Sequence, residues 1–250
     1  MLLSIRIYTY AVILIIGSLF SLQKAKKLYQ RPTTSAVRYE IFKTPQKVSE
    51  KVIKSTGTTV QVTGREKIPE GAVLYVANHQ GLFDILAFLG YLGKPVGFIA
   101  KKEINKLPII RKWMSLIHCV FIDREDRRQS IKAINQGIEN LKEGYSLVVF
   151  PEGTRSRGES LHEFKPGSLR LATKAQVPIV PVTINGTYRM LEEGKGKIQG
   201  SSVSMVIHDP ILPEDYEPLK SADLAKKLQE TVESALPFAK KNEEKELIRK

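Results

Sequence analysis

The sequence predicts an α/β fold, a mostly parallel mixed sheet covered by helices on both faces. Short, almost continuously apolar runs, such as residues 147–150 and 179–184, alternate with longer amphipathic segments. Strands that are buried on both faces have this composition, because the crossover helices of a parallel sheet cover it. The length of 250 residues and the hydrophobic content of 42% suit one large domain with an ordinary core.

The elements follow from this alternation of patterns. The predicted strands are residues 59–64, 73–77, 96–100, 119–123, 147–150, 179–184 and 203–207. The predicted helices of the domain are residues 84–91, 109–118, 129–142, 167–175 and 223–235. Upstream of them, residues 33–57 are expected to form an amphipathic helix that is broken at Pro45, because proline removes a backbone donor and crowds the preceding turn.

The charge of the chain indicates an anionic partner. Lys and Arg number 39 and Asp and Glu 26, a formal net charge of +13. There is no long basic tail, no zinc-finger spacing and no aromatic ribonucleoprotein motif, so nucleic acid is not expected as the partner. The single cysteine, Cys119, excludes an intrachain disulfide and a cysteine-rich metal site, and it suits a reducing compartment.

An apolar run at residues 7–22 suggests attachment to a membrane. One basic residue, Arg6, precedes it, and Lys24, Lys26 and Lys27 follow it. We therefore expect residues 1–57 to be a membrane-anchoring helical segment, and residues 58–250 to be the α/β domain on the cytoplasmic side. A cleaved secretory signal is the alternative, but the sequence lacks a small-x-small cleavage site. As a helix the run reaches about 24 Å against a hydrocarbon core of about 30 Å, which leaves spanning and lying flat both open.

Polar segments follow the predicted parallel strands at their carboxyl ends, where sheets of this class place their active sites. These segments are residues 78–84, 101–103, 123–128, 151–157 and 185–187. They contain one histidine, several carboxylates and many cations. We expect the functional site at this edge of the sheet.

His79 and Asp84 are the candidate acid-base pair. Five residues apart on a regular helix, they would point in different directions. A bend at Gly81 would let the carboxylate accept the Nδ1 proton and leave Nε2 free as a general base. The alternative interpretation is that Asp84 caps its helix and His79 is an ordinary loop residue. Because no nucleophile motif is present, the proton would come from a hydroxyl group of a substrate.

The segment Phe150 to Ser156 is the candidate phosphate-binding loop. Its Arg155 and the backbone N–H groups around Gly153 suit a phosphate. Glu152 is open to two interpretations, a carboxylate that holds the loop in shape or a direct ligand contact. Arg124, Lys101 and Lys102 follow neighbouring strands and would add cations at the same edge.

Four blocks in order resemble the glycerolipid acyltransferase family, and most closely its 1-acyl-glycerol-3-phosphate acyltransferases. They are Asn78 to Asp84 (N-H-x-x-x-x-D), Val120 to Arg124, Phe150 to Ser156 (F-P-E-G-T-R-S) and Val177 to Val182 (V-P-I-V-P-V). The chain departs from the family at Gly81, where members often carry serine. The resemblance implies that His79 is the catalytic base with Asp84 as its partner. The substrate-binding residues that we predict are Arg124, Glu152, Gly153, Thr154, Arg155, Lys101 and Lys102.

The resemblance also implies an activity. An acyl thioester, either acyl-coenzyme A or acyl-carrier protein, would donate its acyl group to the free 2-hydroxyl of lysophosphatidate at the bilayer surface. Neither a cofactor nor a metal is expected, and the enzyme would act at the cytoplasmic face of the cell membrane. Two alternatives stay open: a different acceptor, such as glycerol 3-phosphate or another lysolipid, and a non-catalytic module that binds anionic lipid.

Overall fold

The fold is the α/β sandwich that the sequence predicts. It is seen in a computed structural model that describes residues 2–237. The helices are α1 (Leu2–Gly17), α2 (Leu19–Tyr29), α3 (Ser35–Ser55), α4 (Phe83–Tyr91), α5 (Pro108–Leu116), α6 (Arg127–Lys142), α7 (Arg170–Ala175), α8 (Pro213–Tyr216) and α9 (Ser221–Ser234). The strands are β1 (Thr59–Thr63), β2 (Leu74–Ala77), β3 (Gly97–Lys101), β4 (Val120–Ile122), β5 (Leu147–Val149), β6 (Ile179–Asn185) and β7 (Ser202–Ile207).

The seven strands form one mixed sheet in the order β1-β7-β6-β2-β5-β3-β4. The five strands β6, β2, β5, β3 and β4 are parallel, whereas β7 pairs antiparallel with β6 and parallel with β1. Leu74 of β2 pairs with Leu147 of β5 and with Ile179 of β6. Strands β6, β2 and β5 are therefore aligned in register, and the segments that leave their carboxyl ends meet at one edge of the sheet.

Helices cover both faces of the sheet, as the continuous apolar strands predict. On one face, Phe42 and Ile53 of α3 and Phe88 of α4 share a buried core with strand residues such as Tyr75. On the other face, helices α6, α7 and α9 bury Leu141, Leu171 and Leu228 against Leu74, Val76 and Leu147. Alternate residues of β2 thus belong to different cores, which explains why the whole strand is apolar.

The N-terminal run does not form one helix. Helices α1 and α2 are bent by 43° where they meet. The break lies at Gly17 and Ser18, a residue pair that commonly kinks helices. The Ser18 hydroxyl donates to the carbonyl of Ile15 at 2.6 Å and accepts the indole N–H of Trp113 at 2.9 Å, which holds the bend against α5.

Among residues 2–237, no single helix has the length and apolarity needed to cross a bilayer, although the bent pair α1 and α2 meets those criteria jointly. The predicted anchor and the boundary at residue 57 stay predictions. The helix break predicted at Pro45 was wrong, because α3 continues from Ser35 to Ser55 through the proline. Phe42, Val52 and Ile53 are buried on both sides of the proline, and this packing outweighs the loss of one backbone hydrogen bond.

Candidate active site

The loop after β2 brings the predicted acid-base pair together. The chain turns at Gly81 before α4 begins, and Nδ1 of His79 lies 2.7 Å from Oδ2 of Asp84. Asp84 is completely buried, whereas 17% of the His79 side chain is exposed. The turn that the sequence required between these residues is therefore present, and the imidazole alone reaches solvent.

Hydrogen bonds to Asp84 determine the tautomer of His79. Oδ2 of Asp84 also accepts the backbone N–H of Gly81 at 2.9 Å, and Oδ1 accepts the hydroxyl of Thr187. A carboxylate that receives several donors is an acceptor toward the imidazole as well. The Nδ1 atom of His79 therefore carries the proton, and Nε2 is left with its lone pair free.

The backbone of His79 is fixed by the loop that follows β5. Glu152 accepts the backbone N–H of His79 at 2.6 Å and that of His162 at 3.0 Å. The carbonyl of His79 in turn accepts the N–H of Ser156 at 2.8 Å. The ring of Phe150 stacks on the imidazole with 4.1 Å between centroids. Both loops therefore hold the histidine in one position.

Burial raises the pKa of Glu152, and the two backbone N–H groups and the nearby histidines act in the opposite direction. The side chain is only 2% exposed. Of the two interpretations left open for Glu152, this geometry favours the carboxylate that holds the loop in shape.

Arg155 forms an ion pair with a residue that the sequence analysis did not identify. Its Nη1 lies 3.0 Å from Oε1 of Glu192, which also accepts the N–H of Leu82 at 2.9 Å. A Cβ atom on Gly81 would lie 2.7 Å from Cδ of Glu192. Glu192 thus joins the loop of Arg155 to the turn of His79, and a side chain at position 81 would displace its carboxylate.

The remaining predicted cations are not gathered around one point. Arg124 donates to the carbonyl of Gly153, in the loop that follows β5. Lys101 pairs with Glu103 at 3.2 Å, and Lys102 pairs with Asp123. Hydrogen bonding to Asp123 raises the pKa of the exposed Lys102. Thr154 is exposed in the same loop as Gly153. Arg124 and Arg155 therefore flank the histidine loop. Lys101 and Lys102 form ion pairs with acidic neighbours instead.

Cys119 does not take part in this site. It precedes β4, and its Sγ accepts the N–H of Phe98 at 3.3 Å. Burial raises the pKa of its thiol to about 12, which keeps it protonated and inert. Within residues 2–237, no group of three or more His, Cys, Asp and Glu side chains is placed to hold a metal ion.

Residues 59–185 match the family model described as Acyltransferase. A probable 1-acyl-sn-glycerol-3-phosphate acyltransferase of Mycoplasma pneumoniae is 36% identical over 181 residues, which cover 68% of each chain. The chain belongs to the acyltransferase family. A 1-acyl-sn-glycerol-3-phosphate acyltransferase of Chlamydomonas reinhardtii is 38% identical over 71% of this chain and 53% of its own length.

The crystal structure of the 1-acyl-sn-glycerophosphate (LPA) acyltransferase PlsC from Thermotoga maritima has the same fold. The TM-score is 0.83 at 31% identity, over 96% of this chain and 95% of that one. The resemblance seen in the four sequence blocks is thereby confirmed as family membership. The α/β fold of this acyltransferase is confirmed with it.

The sequence analysis assigned no role to two residues of this acyltransferase. Thr187 lies in the segment 185–187, which the sequence analysis placed at the end of a parallel strand without singling out the threonine. Glu192 lies beyond every such segment, and an isolated glutamate carries no pattern that distinguishes it from a surface residue. Asn78 was noticed only as part of a motif, yet its amide both donates to and accepts from Ile184 at 2.8 Å, joining β2 to β6.

Proposed function

We propose that this protein transfers an acyl group from an acyl thioester to the free 2-hydroxyl of 1-acyl-glycerol 3-phosphate and so forms phosphatidate. The observation that carries the proposal is the 2.7 Å contact between His79 and Asp84, which leaves Nε2 free at an exposed edge of the sheet. The names of its relatives and of its structural neighbour support the same acceptor.

His79 acts as the general base in this mechanism. Nε2 accepts the proton of the 2-hydroxyl while the oxygen attacks the thioester carbonyl. The tetrahedral intermediate then expels the thiolate, which takes the proton back from the imidazolium. Asp84 accepts the Nδ1 proton throughout and stabilises the positive charge that forms on the ring. The products are the new ester and the free thiol, and no proton is lost.

Arg155 is the residue that we propose for the phosphate of the acceptor. Within residues 2–237 its guanidinium is engaged only through Nη1, by Glu192, so the other N–H groups can bind phosphate oxygens. The carboxylate that orients Arg155 also accepts the N–H of Leu82, two residues before Asp84. This connection fixes the distance between the phosphate and the base, and therefore which hydroxyl of the acceptor reaches His79.

A panel of acceptors tests the proposal. The purified full chain in phosphatidylglycerol vesicles receives one acyl thioester together with lysophosphatidate, glycerol 3-phosphate or lysophosphatidylcholine. We expect lysophosphatidate to be preferred and His79→Ala to abolish its acylation. Preference for another acceptor would replace the substrate but keep the chemistry. Binding of the vesicles without any transfer by the parent chain would favour the lipid-binding module instead.

We also propose that α1 and α2 attach the enzyme to the cytoplasmic face of the membrane. Apolar side chains on these helices are exposed, among them Phe20 at 90%, Ile13 at 59% and Ile5 at 55%. Lys24, Lys26 and Lys27 lie beside them on α2 and would contact anionic headgroups.

Flotation with phosphatidylglycerol vesicles tests this attachment. We expect Ile13→Glu and Phe20→Glu to release the protein from the vesicles. Gln129→Glu, which adds the same charge at an exposed position of α6, should float like the parent chain. If all three variants float equally, the two helices are not the attachment site.

A further inference from the structure

An apolar groove with a cationic rim opens beside the candidate active site. It has a volume of about 410 Å³, which is within the range of small-molecule sites. Its apolar lining includes Ile99, Ile134, Val149 and Phe150. Phe150 is also the ring that stacks on His79, so the inner end of the groove is one aromatic ring away from the imidazole.

The charged residues around this groove all have the same sign. Arg124, Arg127, Lys165 and Arg170 contribute to its lining, and no aspartate or glutamate is among its lining residues in the part of the chain that the structure describes. Within residues 2–237, none of the four forms an ion pair, in contrast to Lys101, Lys102 and Arg155. The rim therefore suits a ligand with several negative charges.

The groove lies on the face of the sheet opposite to the N-terminal helices. Ile99 and Val149 belong to the core beneath α6 and α7, whereas Ile7 of α1 and Phe42 of α3 belong to the core on the other face. Phe150, which lines the groove and stacks on His79, belongs to the core on the other face, so the inner end of the groove lies at the edge of the sheet, where the two faces meet. The ion pair of Arg155 with Glu192 lies toward β6, across β2 from the groove.

We infer that this groove binds the acyl donor, a fatty acyl thioester whose thiol arm carries phosphate groups, and that Arg127, Lys165 and Arg170 bind those phosphates. The apolar lining suits the carbon chains next to the thioester, and the rim matches the charge of the arm. Two substrates must meet at His79, and this arrangement gives each a separate phosphate-binding site. Arg155 binds the phosphate of the acceptor, and the groove rim binds the phosphates of the donor. The inference rests on the proposed transfer reaction and assigns a site to its second substrate.

A series of thioesters with increasing phosphate content tests the assignment. Palmitoyl-pantetheine carries no phosphate, palmitoyl-phosphopantetheine carries one, as does the arm of a carrier protein, and palmitoyl-coenzyme A carries more. We expect Arg127→Gln/Arg170→Gln and Lys165→Gln to raise the KM for palmitoyl-coenzyme A, by roughly tenfold for the double variant. The KM for palmitoyl-pantetheine and that for lysophosphatidate should stay unchanged. If the KM for palmitoyl-phosphopantetheine rises as much as that for palmitoyl-coenzyme A, the phosphate of the arm is the group that these residues bind.

Matched controls are available on the same helices. Lys132→Gln on α6 and Lys174→Gln on α7 remove exposed cations that do not line the groove, and both should behave like the parent chain. An increased KM for lysophosphatidate with an unchanged KM for palmitoyl-coenzyme A would overturn the inference, as would an equal effect on all three thioesters or no effect on any of them. If the parent chain transferred no acyl group to any acceptor, the proposed function itself would fail. Failure of the proposed function can be distinguished from failure of the groove assignment, because the groove variants are compared with a parent chain that is active.

Discussion

The carboxylate of Glu152 holds His79 by its backbone rather than by its ring, with 2.6 Å between Oε1 and the backbone nitrogen. The other oxygen, Oε2, accepts the backbone N–H of His162 at 3.0 Å. Glu152, a residue of the predicted phosphate-binding loop, therefore positions the backbone of the proposed base. Glu152 can reach His79 because the two residues follow adjacent strands, β5 and β2.

Replacing this carboxylate by an amide should loosen the histidine loop. In Glu152→Gln the amide nitrogen faces one of the two backbone N–H groups that the carboxylate accepts. That N–H group then has no acceptor in a buried environment, which lowers the stability of the fold by about 1–3 kcal/mol. We expect the free energy of unfolding to fall by this amount and kcat to fall with it. Urea unfolding and initial rates measure both, with the exposed Glu163→Gln as the control. An unchanged unfolding midpoint would mean that the two hydrogen bonds contribute nothing to stability.

Thr187 should influence the rate through Asp84. Thr187→Val removes the hydroxyl that donates to Oδ1, and a hydrogen bond to a charged group contributes about 1.5–3 kcal/mol. We expect a lower kcat with little change in the KM of either substrate, because the threonine touches the carboxylate and not the ligands. Thr187→Ser keeps the hydroxyl and should recover most of the rate. If valine and serine gave the same kcat, the hydroxyl would have no part in holding Asp84.

The sequence predicted the fold and the acid-base pair because both follow from local patterns. Apolar strands alternated with helices, and a glycine between His79 and Asp84 allowed the required turn. The partner of Arg155 could not be predicted, since Glu192 reaches the site only through the tertiary arrangement of β6 and the turns that follow it. The continuous α3 was missed for the same reason: local propensity marked Pro45 as a break, whereas packing on α4 keeps the helix intact.

Gly81 and Glu192 should behave as one coupled unit. Gly81→Ala alone places a Cβ atom 2.7 Å from Cδ of Glu192, so we expect the ion pair with Arg155 to be displaced and the KM for lysophosphatidate to rise. In the Glu192→Ala background the same substitution no longer meets the Glu192 carboxylate and should cost little more. Steady-state kinetics on the two single variants and the double variant measure the coupling. Strictly additive effects on KM would show that the two residues act independently.

The stability of the protein should decrease in mildly acidic solution because of His118. Burial, and then the charge of Arg38, lower the pKa of His118 from 6.5 to about 4, and its ring stacks on Tyr145. The unfolded chain therefore binds a proton more readily than the folded one, so this contribution is complete above pH 6.5 and is lost as the pH falls toward 4.

Urea unfolding between pH 4 and pH 7 measures this dependence. His118→Asn tolerates the left-handed backbone at this position, where φ is 58°, and removes the titrating ring. We expect the variant to show a flatter pH dependence than the parent chain, even if its stability at pH 7 is lower. Parallel pH curves for the two proteins would mean that His118 is not the group responsible.

The role of His79 as a base toward the substrate hydroxyl is tested most directly by an acceptor that needs no base. In the 2-thiol analogue of lysophosphatidate the nucleophile is a thiol, which ionises far more readily than a hydroxyl group and therefore depends less on a base. We expect His79→Ala to slow transfer to the natural hydroxyl by about 10²–10⁴-fold and transfer to the thiol far less. An equal loss with both acceptors would show that His79 does something other than remove the proton, and would contradict the proposed mechanism.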